Sequence, residues 1–509
     1  VKRRWLFLGL IALLLIPALA HARPGGGEGY SGGGGGDGGG DGGLVFLLLR
    51  IWFEFVIHYP AIGIPMTIVG ILVFIAWNRK RVKEGKQSWD ITAPSIPTPA
   101  APPQQARSQD LDAVRRLDPE FSVVLFEDFA YALYARAHQA RSDRHALDGL
   151  APYLSPPVRD QLQQRPPAGV PVSSVIVGVM RATRVSVPAD RIPPPPGAPS
   201  GTPPAGWVQV VLEIESNITL GNSAAQYVRE RWSLVRSSTA RTKPADQVKS
   251  FKCPNCGAPF DPAGAAAGDR CGYCGEVVSG GRFDWTVQAI ELLKVEARPP
   301  ALVSTVQEVG TDWPTVYHPQ VAARRAELLR DDPATTDEAL GARLMLIYNQ
   351  LNQAWTGLDL TPARPFVSDG LFDYLQYWIR AYQGQGLRNV LEEMRITEWT
   401  IAKVVRDARY DSVTCRIWGS GRDSTVRQAD GGLVSGNPKR DRVYTEYWTL
   451  IRAAGVHAAP RADRSCPNCG APLDQVNMAG ECQHCGAKIT RGDFDWVLSK
   501  IEQDDVYSG

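Results

Sequence analysis

Two stretches of this chain each carry four cysteines in paired knuckles: Cys253-x2-Cys256-x14-Cys271-x2-Cys274 and Cys466-x2-Cys469-x12-Cys482-x2-Cys485. Thiolates at that spacing converge on one tetrahedral ion. Four of them leave no position open for water, so each set reads as a structural Zn2+ site and not a catalytic one. A ribbon of under about 30 residues has too little core to fold without such a staple. Paired knuckles also point to metal in a reducing compartment and away from a disulfide framework. The ninth cysteine, Cys415, stands alone in a strand pattern and reads as a small buried apolar residue. His484, inside the last knuckle, reads as a bystander to a site already filled.

The first knuckle of each set lies in the same seven residues, CPNCGAP, at 253–259 and 466–472. The likeness extends well beyond them. Asp118-Pro119 answers Asp332-Pro333 (332 − 118 = 214), RERWSLVR at 229–236 answers TEYWTLIR at 445–452 (445 − 229 = 216), and RFDW at 282–285 answers DFDW at 493–496 (493 − 282 = 211). Near-constant offsets over this length predict one domain present twice, with a period far too long for a solenoid. The expected boundaries are 118–297 with a ribbon at 252–279, a linker at 298–331, and 332–504 with a ribbon at 465–490.

Each copy opens with helical periodicity (Phe126, Phe129, Ala130, Leu133, Ala137; Leu340, Leu344, Ile347, Leu351, Ala354) and ends in β-branched and aromatic strands. Helices followed by a run of strands predict an α+β fold, helices packed on a curved antiparallel sheet. A strand precedes and follows each ribbon, so the ribbon should cap a hairpin made of the last two strands. In the following strand Phe283, Trp285, Val287 and Ala289 should share the apolar face.

Residues 1–22 have the cations, apolar run and A-H-A of a signal peptide; an uncleaved signal anchor is the alternative. A Gly-rich tether spans 23–43. Residues 44–78 read as a membrane segment: an amphipathic helix over 44–58, with Arg50, Glu54 and His58 on one face, and then a transmembrane helix. A second span over 44–58 is the other possibility. A basic and then Pro/Ala-rich linker covers 79–117. Arg79, Lys80, Arg81, Lys83 and Lys86 flank the span and orient it with everything after it inside. The same cations could contact anionic lipid, or act as a stop-transfer flank only. The expected location is therefore the bacterial inner membrane, single-pass, with the C-terminal domains cytoplasmic.

Charge is balanced, 55 basic against 53 acidic residues, which gives no global pull toward nucleic acid. Near the ribbons, Lys249, Lys252, Arg270, Arg461, Arg464 and Lys488 are too sparse for a basic face. No catalytic constellation emerges. Of seven histidines, only His138 and His145 fall in the first globular copy. Asn352 stands where His138 would repeat. Asp359 and Arg364 are expected to form a structural ion pair near a helix end.

The segments RPFVSDGLFDYLQYWIRAYQGQGLRNV (364–390), YDSVTCRIWGSGRDSTV (410–426) and RVYTEYWTLIR (442–452) resemble the Tim44-like domains of bacterial membrane proteins. The first copy matches more weakly, through 118–140 and 146–162, and lacks the QGLRN stretch. The ribbons are additions to the basic family domain. The resemblance implies a cone-shaped fold like that of nuclear transport factor 2, membrane-surface binding and a scaffold role, with a possible link to protein translocation. It supplies no catalytic residue. The function expected is a non-enzymatic, membrane-anchored scaffold for an unidentified protein or polypeptide partner. A ribosome- or nucleic-acid-associated factor and a small-molecule-binding module or enzyme are the alternatives.

Overall fold

The computed structural model describes residues 111–188, 206–297 apart from 222, 224, 246 and 263–268, and 310–509. The signal, tether and membrane segments expected over 1–78, and the linker as far as 110, lie outside the described residues. Among the described residues no helix is long and apolar enough to cross a membrane.

The first half runs α1 (Asp112–Arg115), α2 (Val123–Ala140), α3 (Arg144–Asp148), α4 (Pro156–Gln164), β1 (Val172–Ser186), β2 (Trp207–Leu220), β3 (Gln226–Ser237) and β4 (Thr286–Ala297). The second runs α5 (Val321–Asp331), α6 (Asp337–Thr356), a 3-10 turn (Thr361–Phe366), α7 (Asp369–Gly384), β5 (Leu387–Arg406), β6 (Tyr410–Arg427), β7 (Leu433–Gly436), β8 (Arg442–Ala453) and β9 (Val497–Gln503). Hydroxyl N-caps start the long helices: Ser122, Thr336 and Ser368 accept from Leu125, Ala339 and Leu371. The apolar positions of α2 and α6 then bury against the sheets.

Both sheets are antiparallel, in the order β1-β2-β3-β4 and β5-β6-β8-β9, with β7 added beside β6. The ribbons occupy the connections between β3 and β4 and between β8 and β9, and those strands pair with each other. Each ribbon therefore sits at the end of a hairpin. Where each chain turns from the helices, Ser155 N donates to Val287 O at 3.0 Å and Ser368 N to Leu498 O at 2.8 Å. The same backbone clasp thus joins helix layer to last strand in both halves.

Two local expectations need correction. The stretch 298–331 is not linker throughout, because α5 fills 321–331 and buries Leu328 completely. In β4 a bulge after Val287 breaks the alternation. Ile290 therefore enters the core while Ala289 turns outward, and Phe283 packs with the ribbon instead.

The halves interlock. Leu125 of α2 packs with Tyr410, Ile451 and Val497 of the second sheet. Ile176 and Val179 of β1 join the core of the second half. Charged pairs rim the contact: Glu127 with Lys500 at 2.6 Å and Glu120 with Arg409 at 2.7 Å. Asp407 Oδ2 accepts from Val123 N at 3.2 Å. Burial alone would push Lys500 down, yet Glu127, Tyr131 and Glu502 hold its ammonium above the ordinary lysine range.

Candidate metal centres

A C-x-x-C-G knuckle is a tight turn. In the first ribbon Cys253 N donates to Ala258 O at 2.8 Å and Gly257 N to Cys253 O at 2.9 Å; in the second, Gly470 N reaches Cys466 O at 2.8 Å. The glycine after each second cysteine takes the left-handed conformation, with φ of 76° at Gly257, 70° at Gly275, 76° at Gly470 and 72° at Gly486. A side chain is strained there, which is why glycine follows the second cysteine of all four knuckles.

Two such turns face each other in each ribbon. All four sulfurs of Cys253, Cys256, Cys271 and Cys274 lie within 4.8 Å of one another, and so do those of Cys466, Cys469, Cys482 and Cys485. The pairs Cys253–Cys274, Cys256–Cys271, Cys466–Cys485 and Cys469–Cys482 are each 3.9 Å apart. That is far beyond a disulfide bond. It is close to the edge, about 3.8 Å, of a tetrahedron of sulfurs held about 2.3 Å from one ion. Both donor sets are compatible with metal binding.

The residue between the first two cysteines supports the charge such a site needs. Asn255 Nδ2 donates to Cys274 Sγ at 3.5 Å and Asn468 Nδ2 to Cys485 Sγ at 3.4 Å. These amides draw the Cys274 thiol down to about 7 and Cys485 down to about 6. His484 is exposed and outside the sulfur cluster. Cys415 is fully buried on β6, and burial pushes its thiol up to about 12.

Neighbouring cations face carboxylates: Lys249 pairs with Asp128 at 2.8 Å, Arg461 with Asp463 at 3.0 Å and Lys488 with Asp369 at 2.8 Å. Arg364 pairs with Asp369, not with Asp359. Asp359 instead accepts from Thr361 N at 2.9 Å, which opens the 3-10 turn.

Sequence reasoning used the repeated dipeptides only as markers and missed that they touch. Asp118 Oδ2 and Arg236 Nη2 are 2.9 Å apart, and Asp332 Oδ2 and Arg452 Nη2 are 2.8 Å apart. Each guanidinium also lies over an indole, Arg236 4.7 Å from the Trp285 ring centre and Arg452 4.5 Å from that of Trp496. This clamp ties the start of the helices, the penultimate strand and the last strand at the root of each ribbon. A second repeated device is the indole-to-carboxylate bond from Trp232 to Glu230 at 3.0 Å and from Trp448 to Glu446 at 2.9 Å. Its signal, E-x-W, was present in both copies.

Residues 322–461 match the family of Tim44-like domains. The match begins in α5 and ends just before the second ribbon, so the ribbon lies outside the matched domain. A Tim44-like domain supports a binding or scaffold role of the Tim44 type in general. No curated protein matches the chain.

Proposed function

We propose that this chain is a non-enzymatic scaffold in which two copies of a Tim44-like domain, each braced by a structural Zn2+ ion, are displayed at the cytoplasmic face of the bacterial inner membrane to a polypeptide partner. The match over 322–461 carries the reading. The first half supports its duplication through the same strand order, the same ribbon insertion and the same Asp-Arg-Trp clamp. The eight cysteines have the chemistry and spacing of closed zinc sites, which hold structure and leave no position for substrate. The apolar run and basic flank of 44–86 would supply the anchor, by the positive-inside rule.

The test is photo-crosslinking in cells from Leu433 and Val443, apolar side chains of the Tim44-like domain that are 53% and 55% exposed. A discrete protein adduct, together with two zinc ions per purified chain, is expected. Adducts to RNA alone, or a chain free of zinc and still folded, would overturn the proposal.

A further inference from the structure

The interior of the first half holds an excess of positive charge. Glu230 on β3 is fully buried. His138 Nε2 lies 2.9 Å from its carboxylate, Trp232 Nε1 donates to it at 3.0 Å, and Arg165 pairs with its other oxygen. A second guanidinium, Arg141, follows α2 in the same group and is only 5% exposed. Burial pushes His138 below its ordinary value, against the pull of the Glu230 carboxylate. Two cations then face one carboxylate. His138 Nδ1, Arg141 Nε and Arg165 Nη1 are buried without a hydrogen-bond partner. A buried cation without its own counterion is destabilising.

The fold does not require this arrangement. At the matching sequence positions of the second half, where Glu446 and Trp448 answer Glu230 and Trp232, stand Asn352 (138 + 214), Trp355 (141 + 214) and Trp378 (165 + 213). Trp355 and Trp378 are buried members of an apolar core. The matching positions carry indoles in one half and, in the other, two guanidinium groups to one carboxylate.

We infer that the first half binds an organic carboxylate, its oxygens on Arg141 and Arg165 and a short apolar chain on Leu292 and Val295. Arginine's planar fork suits a carboxylate. Arg165 is the most exposed member of the group, keeping 11% of its side chain exposed. Leu292 pairs with Glu230 across β3 and β4 and so shares its face, and both Leu292 and Val295 are 46% exposed.

A guanidinium at a helix C-terminus also gains from the helix dipole, and that role makes the opposite prediction. The probes are octanoate, octylamine and inorganic phosphate, each titrated into the full chain by calorimetry and thermal unfolding. Octanoate is expected to bind and raise Tm, octylamine to do neither, and phosphate to bind more weakly. Arg141→Gln should weaken octanoate about tenfold or more and raise Tm of the ligand-free chain. Arg141→Lys, which keeps the charge and loses the fork, should fall between. No octanoate binding, or an Arg141→Gln chain that binds normally and melts lower, overturns the site. Phosphate binding as tight as octanoate overturns the apolar part.

Discussion

The two ribbons share ligands, turns and amide donors, yet they stand in different relations to their halves. In the second, Cys466 and Cys482 belong to one continuous core with Leu473, Val476, Ile489, Trp355, Trp448 and Trp496. Arg364 reaches across to Met478 O at 2.9 Å, and Asp369 at the start of α7 holds Thr490 at 2.9 Å. The first ribbon has a small cluster of its own, Cys253, Cys271 and Val278 with Phe260 and Phe283. It is fastened by Tyr153 donating to Lys252 O at 2.7 Å and by Arg159 with Asp269 at 3.2 Å. One donor set therefore does two jobs. A metal held by the second set would organise the core of its half, and one held by the first would clip the end of a hairpin.

The sharpest way to break this contrast is to remove each metal alone. A structural zinc site is worth about 10–16 kcal/mol in small domains. Cys482→Ser should unfold the second half, with amides of α7, β8 and β9 exchanging at the rate of global opening. Cys271→Ser should leave α2 and β2 protected. Equal loss by hydrogen exchange would erase the distinction. The clamps predict equality instead. Arg236→Met and Arg452→Met each strand a buried aspartate, Asp118 or Asp332, and each should cost about 3–5 kcal/mol by chemical denaturation. Between the halves, a double-mutant cycle on Glu127→Gln and Lys500→Met should give a coupling of about 1 kcal/mol. A value of zero would mean that the apolar contact alone joins them.

The halves also differ in the sign of their response to pH. In the first, burial would raise the carboxyl of Glu230, but His138 and Arg165 hold it down at about 2 against an ordinary 4.5. The stability it contributes is complete above pH 4.5 and is lost as pH falls toward 2. In the second, burial pushes Asp504 up to about 6 from 3.8, despite Thr445 and Arg416. Its contribution runs the other way, falling as pH rises from 3.8 through 6. Glu230→Gln should flatten the acid limb of Tm against pH, and Asp504→Asn the limb near neutrality.

Much of this was legible in the sequence because its repeated motifs mark contacts. The cysteine spacing gave the sulfur clusters, and the strands flanking them gave the hairpins. The residues that define the repeat, Asp118, Arg236 and Trp285 with Asp332, Arg452 and Trp496, turn out to be the ones that meet. Other features depend on geometry that a one-dimensional pattern does not hold. A single-residue bulge exchanged Ala289 for Ile290. A 3-10 turn carried Arg364 to Asp369 and away from Asp359. The Glu127–Lys500 pair joins positions 373 residues apart, and no local periodicity encodes such a meeting.

The interlock has a further meaning for the chain's construction. Because Leu125 near the start of α2 packs on the second sheet and β1 borders the second core, cohesion between the halves does not depend only on the peptide bonds that connect them. Nicked by a protease anywhere in 298–309, the two fragments should migrate together on a sizing column. The two halves would then behave as one body rather than two beads on a string.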